Sequence, residues 1–224
     1  MTQKVNIVID GKSIEMPVLE STGGLNVVDV RGLINEGMFT YDPGFLSTAS
    51  CDSKVTYIDG DKGILLYRGY PIEQLAEHSS HLEVCYLLLH GELPTSQQLK
   101  AFESAINKNM GLDEHFKKIF DGFTSKSHPM AMVCSAIAGL AAFNHENLDL
   151  NDPEYRLNAA TQLIAKIPTI AAMAYRKSVE KPFVEPQPEL NYAENFLHMC
   201  FGEPDVSPKV SKTLSSALDK IFIL

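Results

Sequence analysis

Two stretches, "HPMAMVCSAIAGLAAF" (128–143) and "IPTIAAMAY" (167–175), constrain the fold of this chain more than any other. Both read as helix, and both are apolar on nearly every side and rich in Ala, Gly and Met. A helix without a polar face has to be buried all round, within a core or against another subunit. Small residues let neighbouring backbones approach closely. From the residues alone, central burial and a helix-packed interface are equally open.

The other helices declare their starts. Pro71 opens a short one. Ser80-x-x-Glu83 is a capping box ahead of "VCYLLLH", with Gly91 as the stop. Thr95-x-x-Gln98 opens the next, with Leu99, Phe102 and Ile106 on one face. A further helix is predicted over 113–123. Asp152-Pro153 begins a long helix that meets Pro168, where a kink is predicted. Asn191-x-x-Glu194 caps a helix running to Cys200. Ser207-Pro208 predicts the start of the last helix, with Val210, Leu214, Ala217, Leu218, Ile221 and Phe222 as its apolar stripe. That helix closes on Ile221-Phe222-Ile223-Leu224, four apolar residues without a cap.

The first 70 residues follow a different period. Val5, Ile7 and Ile9 alternate with polar residues, Asp10-Gly11 follows, and Ile14, Met16 and Val18 alternate again, the pattern of a tight hairpin. A second hairpin reads Lys54–Ile58, a turn over 59–63, and Ile64–Arg68. The expected organisation is a β-rich region over 1–70 and a mainly α-helical part over 71–224. A chain of 224 residues fits one large domain or two small ones. "VEKPFVEPQPEL" is too short for a domain linker.

The net charge is −9 and no Lys/Arg run exceeds two, which argues against a nucleic-acid surface. The first residues hold no signal-peptide core, and no apolar run approaches membrane-spanning length. No membrane partner and a cytoplasmic location are expected. Cys51, Cys85, Cys134 and Cys200 include no CxxC pair and read as reduced core cysteines.

Local motifs supply little chemistry. "YIDGDKG" alternates Asp59 and Asp61 around a glycine, but a calcium loop needs a glutamate at its twelfth position and this chain has Tyr70. It reads as a tight turn. Ser127 and His128 are adjacent, which does not make a nucleophile–base pair. Ser127 is expected as a helix N-cap, with His128 in the first turn. His78, His81, His90, His115, His145 and His198 show no metal-ligand spacing. No metal site and no bound cofactor are expected.

The segment "FTYDPGFLSTASCDSKVTYIDGDKGILLYRGYPIEQLAEHSSHLEVCYLLLHGELPT" (39–95) closely resembles the signature of bacterial citrate synthases. "SHPMAM", "IAKIPTIAAMAYR" and "NFLHMCF" follow at the family's distances, so the resemblance runs collinearly over essentially the whole chain. The β-rich start resembles the type II form, a hexamer of dimers. The resemblance implies a citrate-synthase-like helical large domain with a small β-rich N-terminal layer. It further implies condensation of acetyl-CoA with oxaloacetate, which are substrates of the parent enzyme. The family places its catalytic carboxylate, histidines and arginines after a "HADHEQ"-like segment, where this chain has reached Leu224. The expectation is therefore an N-terminal half, lacking the small domain and the active-site half. No catalytic residue is carried over, and the half is expected to be inactive alone.

The resemblance also implies that the helices over 128–143 and 154–175 pair across a homodimer. Members inhibited by NADH carry groups at four positions of this half. Lys166 agrees with them, while Asn144, Gln162 and Asp205 depart. Asp205 adds negative charge, and Gln162 removes a bidentate donor. Weak or absent NADH binding is the expectation. Two alternatives remain at this point: a non-catalytic helical dimerisation module, and 2-methylcitrate synthase as the parent.

Overall fold

Asp10 and Gly11 join β1 (Lys4–Ile9) to β2 (Lys12–Leu19) as a two-residue turn, with Ile9 paired to Lys12. Their φ angles of 50° and 79° give the left-handed backbone that matches the twist of a hairpin. β3 (Val27–Val28) adds to β2, giving an antiparallel sheet of order β1-β2-β3. Asp29 then caps a 3-10 helix (Val30–Glu36) and holds Arg31 at 2.6 Å, a hydrogen bond that lowers its carboxyl to about 2. Met16 and Leu33 are the buried apolar side chains of this region.

This computed structural model describes residues 3–143 and 149–224. The chain divides into two compact units, Met1–Leu65 and Leu66–Leu224. The division falls inside β5 (Ile64–Tyr67), which follows β4 (Thr56–Asp59) in the second expected hairpin. Asp59 accepts from Lys62 N at 3.1 Å and pairs with Lys62 Nζ at 3.0 Å, so its carboxylate closes the turn. β6 (Tyr70–Pro71) pairs back onto β5 through Arg68 and Gly69, a second left-handed turn that the sequence reading did not anticipate.

The second unit is helical, as expected. α1 (Ile72–His78), α2 (His81–His90) and α3 (Ser96–Asn109) begin where their caps predict. Ser80/Glu83, Thr95/Gln98 and Asn191/Glu194 each form a reciprocal capping box, the last opening α7 (Tyr192–Phe201). The helix expected over 113–123 is instead a short α4 (Glu114–Lys117) passing into a 3-10 turn (Lys118–Gly122). α5 (Pro129–Phe143) starts at a different cap from the one expected. Ser127 Oγ accepts from Thr124 N at 3.1 Å and closes the preceding turn, leaving His128 Nδ1 to accept from Met130 N at 3.2 Å.

α6 (Pro153–Ser178) runs through Pro168 without a break. It is the central helix of the unit, packed by α3, α5 and α7. Ala165 and Ala172 face a cluster with Phe102, Ile106, Tyr192 and Met199. Ile170, Met173 and Ala174 face a second cluster with Phe116, Phe120, Met132 and Ala136. Burial on opposite sides explains the missing polar face. Most of the 167–175 stretch is thus buried within this chain, with Ile167 and Tyr175 left exposed.

α5 is different. Met132, Ala136 and Leu140 face inward, while Ala131, Cys134, Ser135, Ala138 and Ala141 are exposed at helical spacing. Cys51 is exposed as well, so two of the four cysteines lie outside any core. The last helix, α8 (Lys212–Ile223), begins at Ser211 rather than Ser207. Ser211 supplies the cap to Leu214 N at 3.4 Å, and Pro208 has a φ that suits extended chain as readily as a first helical turn. The expected stripe splits. Phe222 packs inward, joined by Ile223 from outside the stripe, while Leu214 and Ile221 are 62% and 63% exposed.

Candidate functional site

Lys166 and Thr169 lie one turn apart on α6 and together take three successive carbonyls beyond the last turns of α3. Lys166 Nζ donates to Asn109 O at 3.1 Å and Gly111 O at 3.0 Å, and Thr169 Oγ1 donates to Met110 O at 2.8 Å. A cation at this end opposes the partial negative charge of the helix terminus. Burial lowers the Lys166 pKa. The ammonium is thus engaged inside the chain. Gln162, one turn earlier, is exposed, and so is Asp205, which has a φ of 59° in the loop after α7. Asn144 lies outside the described residues.

α7 carries two of the polar groups that the core encloses, Asn195 and His198. His198 is 3% exposed and borders two adjoining cavities of about 300 and 440 Å³. Its Nε2 has no hydrogen-bond partner among the described residues. Burial lowers its pKa, Glu189 pulls the other way, and Arg176 adds to the lowering. Gly202 lies against it so closely that a Cβ there would meet His198 O at 2.6 Å. The larger cavity is rimmed by Glu185, Glu189, Glu203 and Asp205. Glu185 pairs with Lys117 at 2.6 Å and Glu203 with Lys181 at 3.7 Å. Such a rim disfavours a phosphate.

Arg176 holds this corner together. It is 1% exposed in the last turn of α6, and Nη1 donates to Cys200 O at 3.1 Å and Gly202 O at 2.9 Å, across the end of α7. Its Nε donates to Pro182 O. The guanidinium caps a helix terminus and fixes the turn after α6, a role its position in "AMAYR" did not reveal. Sequence reasoning missed Arg176 and His198 because neither belongs to a spacing motif.

No group of three or more His, Cys, Asp or Glu among the described residues could hold a metal ion. No described helix is long and apolar enough to cross a membrane. Ser127 and His128 both serve as backbone acceptors. What the arrangement does chemically is order helix ends around α6, with the outer face of α5 left available.

A family model described as "Citrate synthase, C-terminal domain" matches residues 44–224. Among solved structures, the chain is similar to citrate synthase from Thermoplasma acidophilum, solved as a ternary complex with carboxymethyl coenzyme A and oxaloacetate. That match has 29% identity and a TM-score of 0.71, and covers 79% of this chain and 45% of the other. Citrate synthase from Pyrobaculum aerophilum matches at 29% identity and TM-score 0.69, over 99% of this chain and 51% of the other. Citrate synthase from Thermotoga maritima matches at 28% and 0.67, over 82% and 46%. The chain spans about half the length of the citrate synthases it matches.

Proposed function

The chain belongs to the citrate synthase family, and on that premise we propose that it forms the N-terminal half of an enzyme condensing acetyl-CoA with oxaloacetate to citrate and CoA. The observation that carries this reading is the family match over 44–224. The relative solved with a coenzyme A analogue and oxaloacetate supports the choice of substrates. The resemblance of 39–95 to the family's opening signature supports the N-terminal assignment, and coverage of about half of each relative supports a chain that requires the other half for catalysis. The catalytic acid–base groups belong to that other half. The β1–β3 sheet supports the type II bacterial form over 2-methylcitrate synthase as the parent.

In this reading the enzyme is a cytoplasmic homo-oligomer, and α5 supplies its pairing surface. Ala131, Cys134, Ser135, Ala138 and Ala141 offer a flat apolar strip suited to close contact with a second helix. α6 contributes through its exposed side chains, Leu163, Ile167 and Tyr175. No bound cofactor is required.

The test is a thiol-release assay with acetyl-CoA and oxaloacetate, using the purified 224-residue chain from a host lacking citrate synthase. No CoA release above the blank is expected, and citrate formation would overturn the half-enzyme reading. Propionyl-CoA turned over faster than acetyl-CoA by the whole parent enzyme would replace citrate with 2-methylcitrate as its product.

A further inference from the structure

β1 lies at the edge of its sheet, with β2 on one side and no strand among the described residues on the other. The ladder fixes which groups it leaves unused. Gln3 O accepts from Val18 N at 2.8 Å, so the alternate residues Val5, Ile7 and Ile9 bond to β2. The amides and carbonyls of Lys4, Asn6 and Val8 therefore face away from it. Edge strands are ordinarily blunted by proline, by a bulge or by several charges. The β1 sequence, KVNIVI, has no proline, pairs without a bulge and carries one charge. Its Val8 is 67% exposed.

We propose that this edge pairs with the same edge of a second copy of the chain, antiparallel about a two-fold axis at Asn6. The occupant follows from self-complementarity. An antiparallel partner sets outward-facing residues opposite outward-facing residues. Centring on Asn6 is the register that uses all of them: Lys4 meets Val8 of the second copy, Asn6 meets Asn6, and Val8 meets Lys4. On the half-buried face the same register sets Val5 opposite Ile7, an apolar β-branched pair made twice by the symmetry. On the exposed face it brings Lys4 diagonal to Asp10 of the second copy, about 7–8 Å away along the backbones and within reach of a lysine. Lys4 already pairs with Glu15 of its own β2 at 2.6 Å, and Asp10 has no partner among the described residues, so the cation joins two carboxylates. Other registers lose this match. A shift of two residues one way sets the two Lys4 side chains diagonal to each other, and the other way runs the pairing into the Asp10-Gly11 turn.

A six-residue strand contact is about 20 Å long and small beside a standard interface. It is too small to hold two chains at high dilution, and gains once the chains are already paired elsewhere. β1 belongs to the first compact unit and α5 to the second, so the edge contact does not depend on the α5 pairing surface proposed above. Two different isologous contacts on one chain join dimers into larger even-numbered assemblies.

Sedimentation velocity of the 224-residue chain over a concentration series tests this. Expected is the dimer when dilute, giving way to even-numbered multiples as concentration rises. Asn6→Pro removes the central outward amide and leaves the β1–β2 ladder whole, because the Asn6 amide does not bond to β2. It should hold the chain at the dimer at every concentration, with unchanged circular dichroism. Val8→Lys sets like charges opposite each other without altering the backbone, and serves if the proline variant does not fold. It should raise the concentration needed for the multiples several-fold. If α5 does not pair, the series runs from monomer to dimer and the same variants arrest it at the monomer, so the two readings fail separately. A size independent of concentration, or multiples that survive both variants, would overturn the edge pairing.

Discussion

The Tyr192 hydroxyl donates to the Ile164 carbonyl at 2.8 Å, and Ile164 is four residues before Pro168. In an uninterrupted helix that carbonyl would accept from the amide of residue 168, which proline lacks. A side chain from α7 therefore completes the backbone hydrogen bonding of α6. Burial holds the Tyr192 pKa above its ordinary value, so the phenol keeps the proton it donates.

The pair predicts a coupling. Tyr192→Phe should cost about 1–2 kcal/mol, because an enclosed carbonyl loses its donor. In a Pro168→Ala background the restored amide can serve Ile164, and the same change should cost about 1 kcal/mol less. Urea unfolding of the four proteins in the cycle measures this. Additive costs would show that Tyr192 acts through packing alone.

Arg176 predicts a larger loss. Its guanidinium joins the turn at Pro182 to the end of α7 through several carbonyls at once. Arg176→Met should destabilise by roughly 3 kcal/mol, since charge-assisted bonds contribute about 1.5–3 kcal/mol each and the freed carbonyls stay enclosed. Arg176→Lys should recover little, because one ammonium cannot span the fork. A shift of the urea midpoint in both variants is the expected result, and full rescue by lysine would show that charge alone suffices.

Helix starts were legible because a cap is local chemistry. Ser80, Thr95 and Asn191 each need only a Glu or Gln three residues on, and the chain supplies it. Competing acceptors were less legible: Ser127 against His128, and Ser207 against Ser211, differ by which turn the backbone closes first. What covers an all-apolar helix, its own chain or a second one, could not be read. Periodicity marks an inward face only when the other face is polar, so α5 and the second half of α6 looked alike, and tertiary packing alone separates them. The candidate positions Lys166, Gln162 and Asp205 came from family resemblance, whereas Arg176 and His198 needed the fold.

The outer strip of α5 predicts association. Ala138→Arg places a long charged side chain on an exposed face without touching the inward Ala136 or Leu140. Sedimentation velocity should show a dimer for the unaltered chain and a monomer with unchanged helical content for the variant. A variant that associates as well as the unaltered chain would remove α5 as the pairing surface.

Regulation supplies the last prediction. Of the positions at which the resemblance implies NADH contacts, Lys166 is the one that agrees, and its ammonium is already committed to the carbonyls of Asn109 and Gly111. Turning it toward a nucleotide would strip the half-buried Asn109 carbonyl of its donor, a cost of about 1–3 kcal/mol, while the exposed Gly111 carbonyl can turn to water. Gln162 supplies no positive charge in compensation, and Asp205 stands with Glu185, Glu189 and Glu203 around a cavity that repels phosphate. The whole parent enzyme should therefore keep its condensing rate in NADH concentrations well above micromolar. Gln162→Arg with Asp205→Cys should not create strong inhibition while Lys166 remains bound to α3. Micromolar inhibition of the unaltered enzyme would mean that Lys166 leaves those carbonyls at little cost.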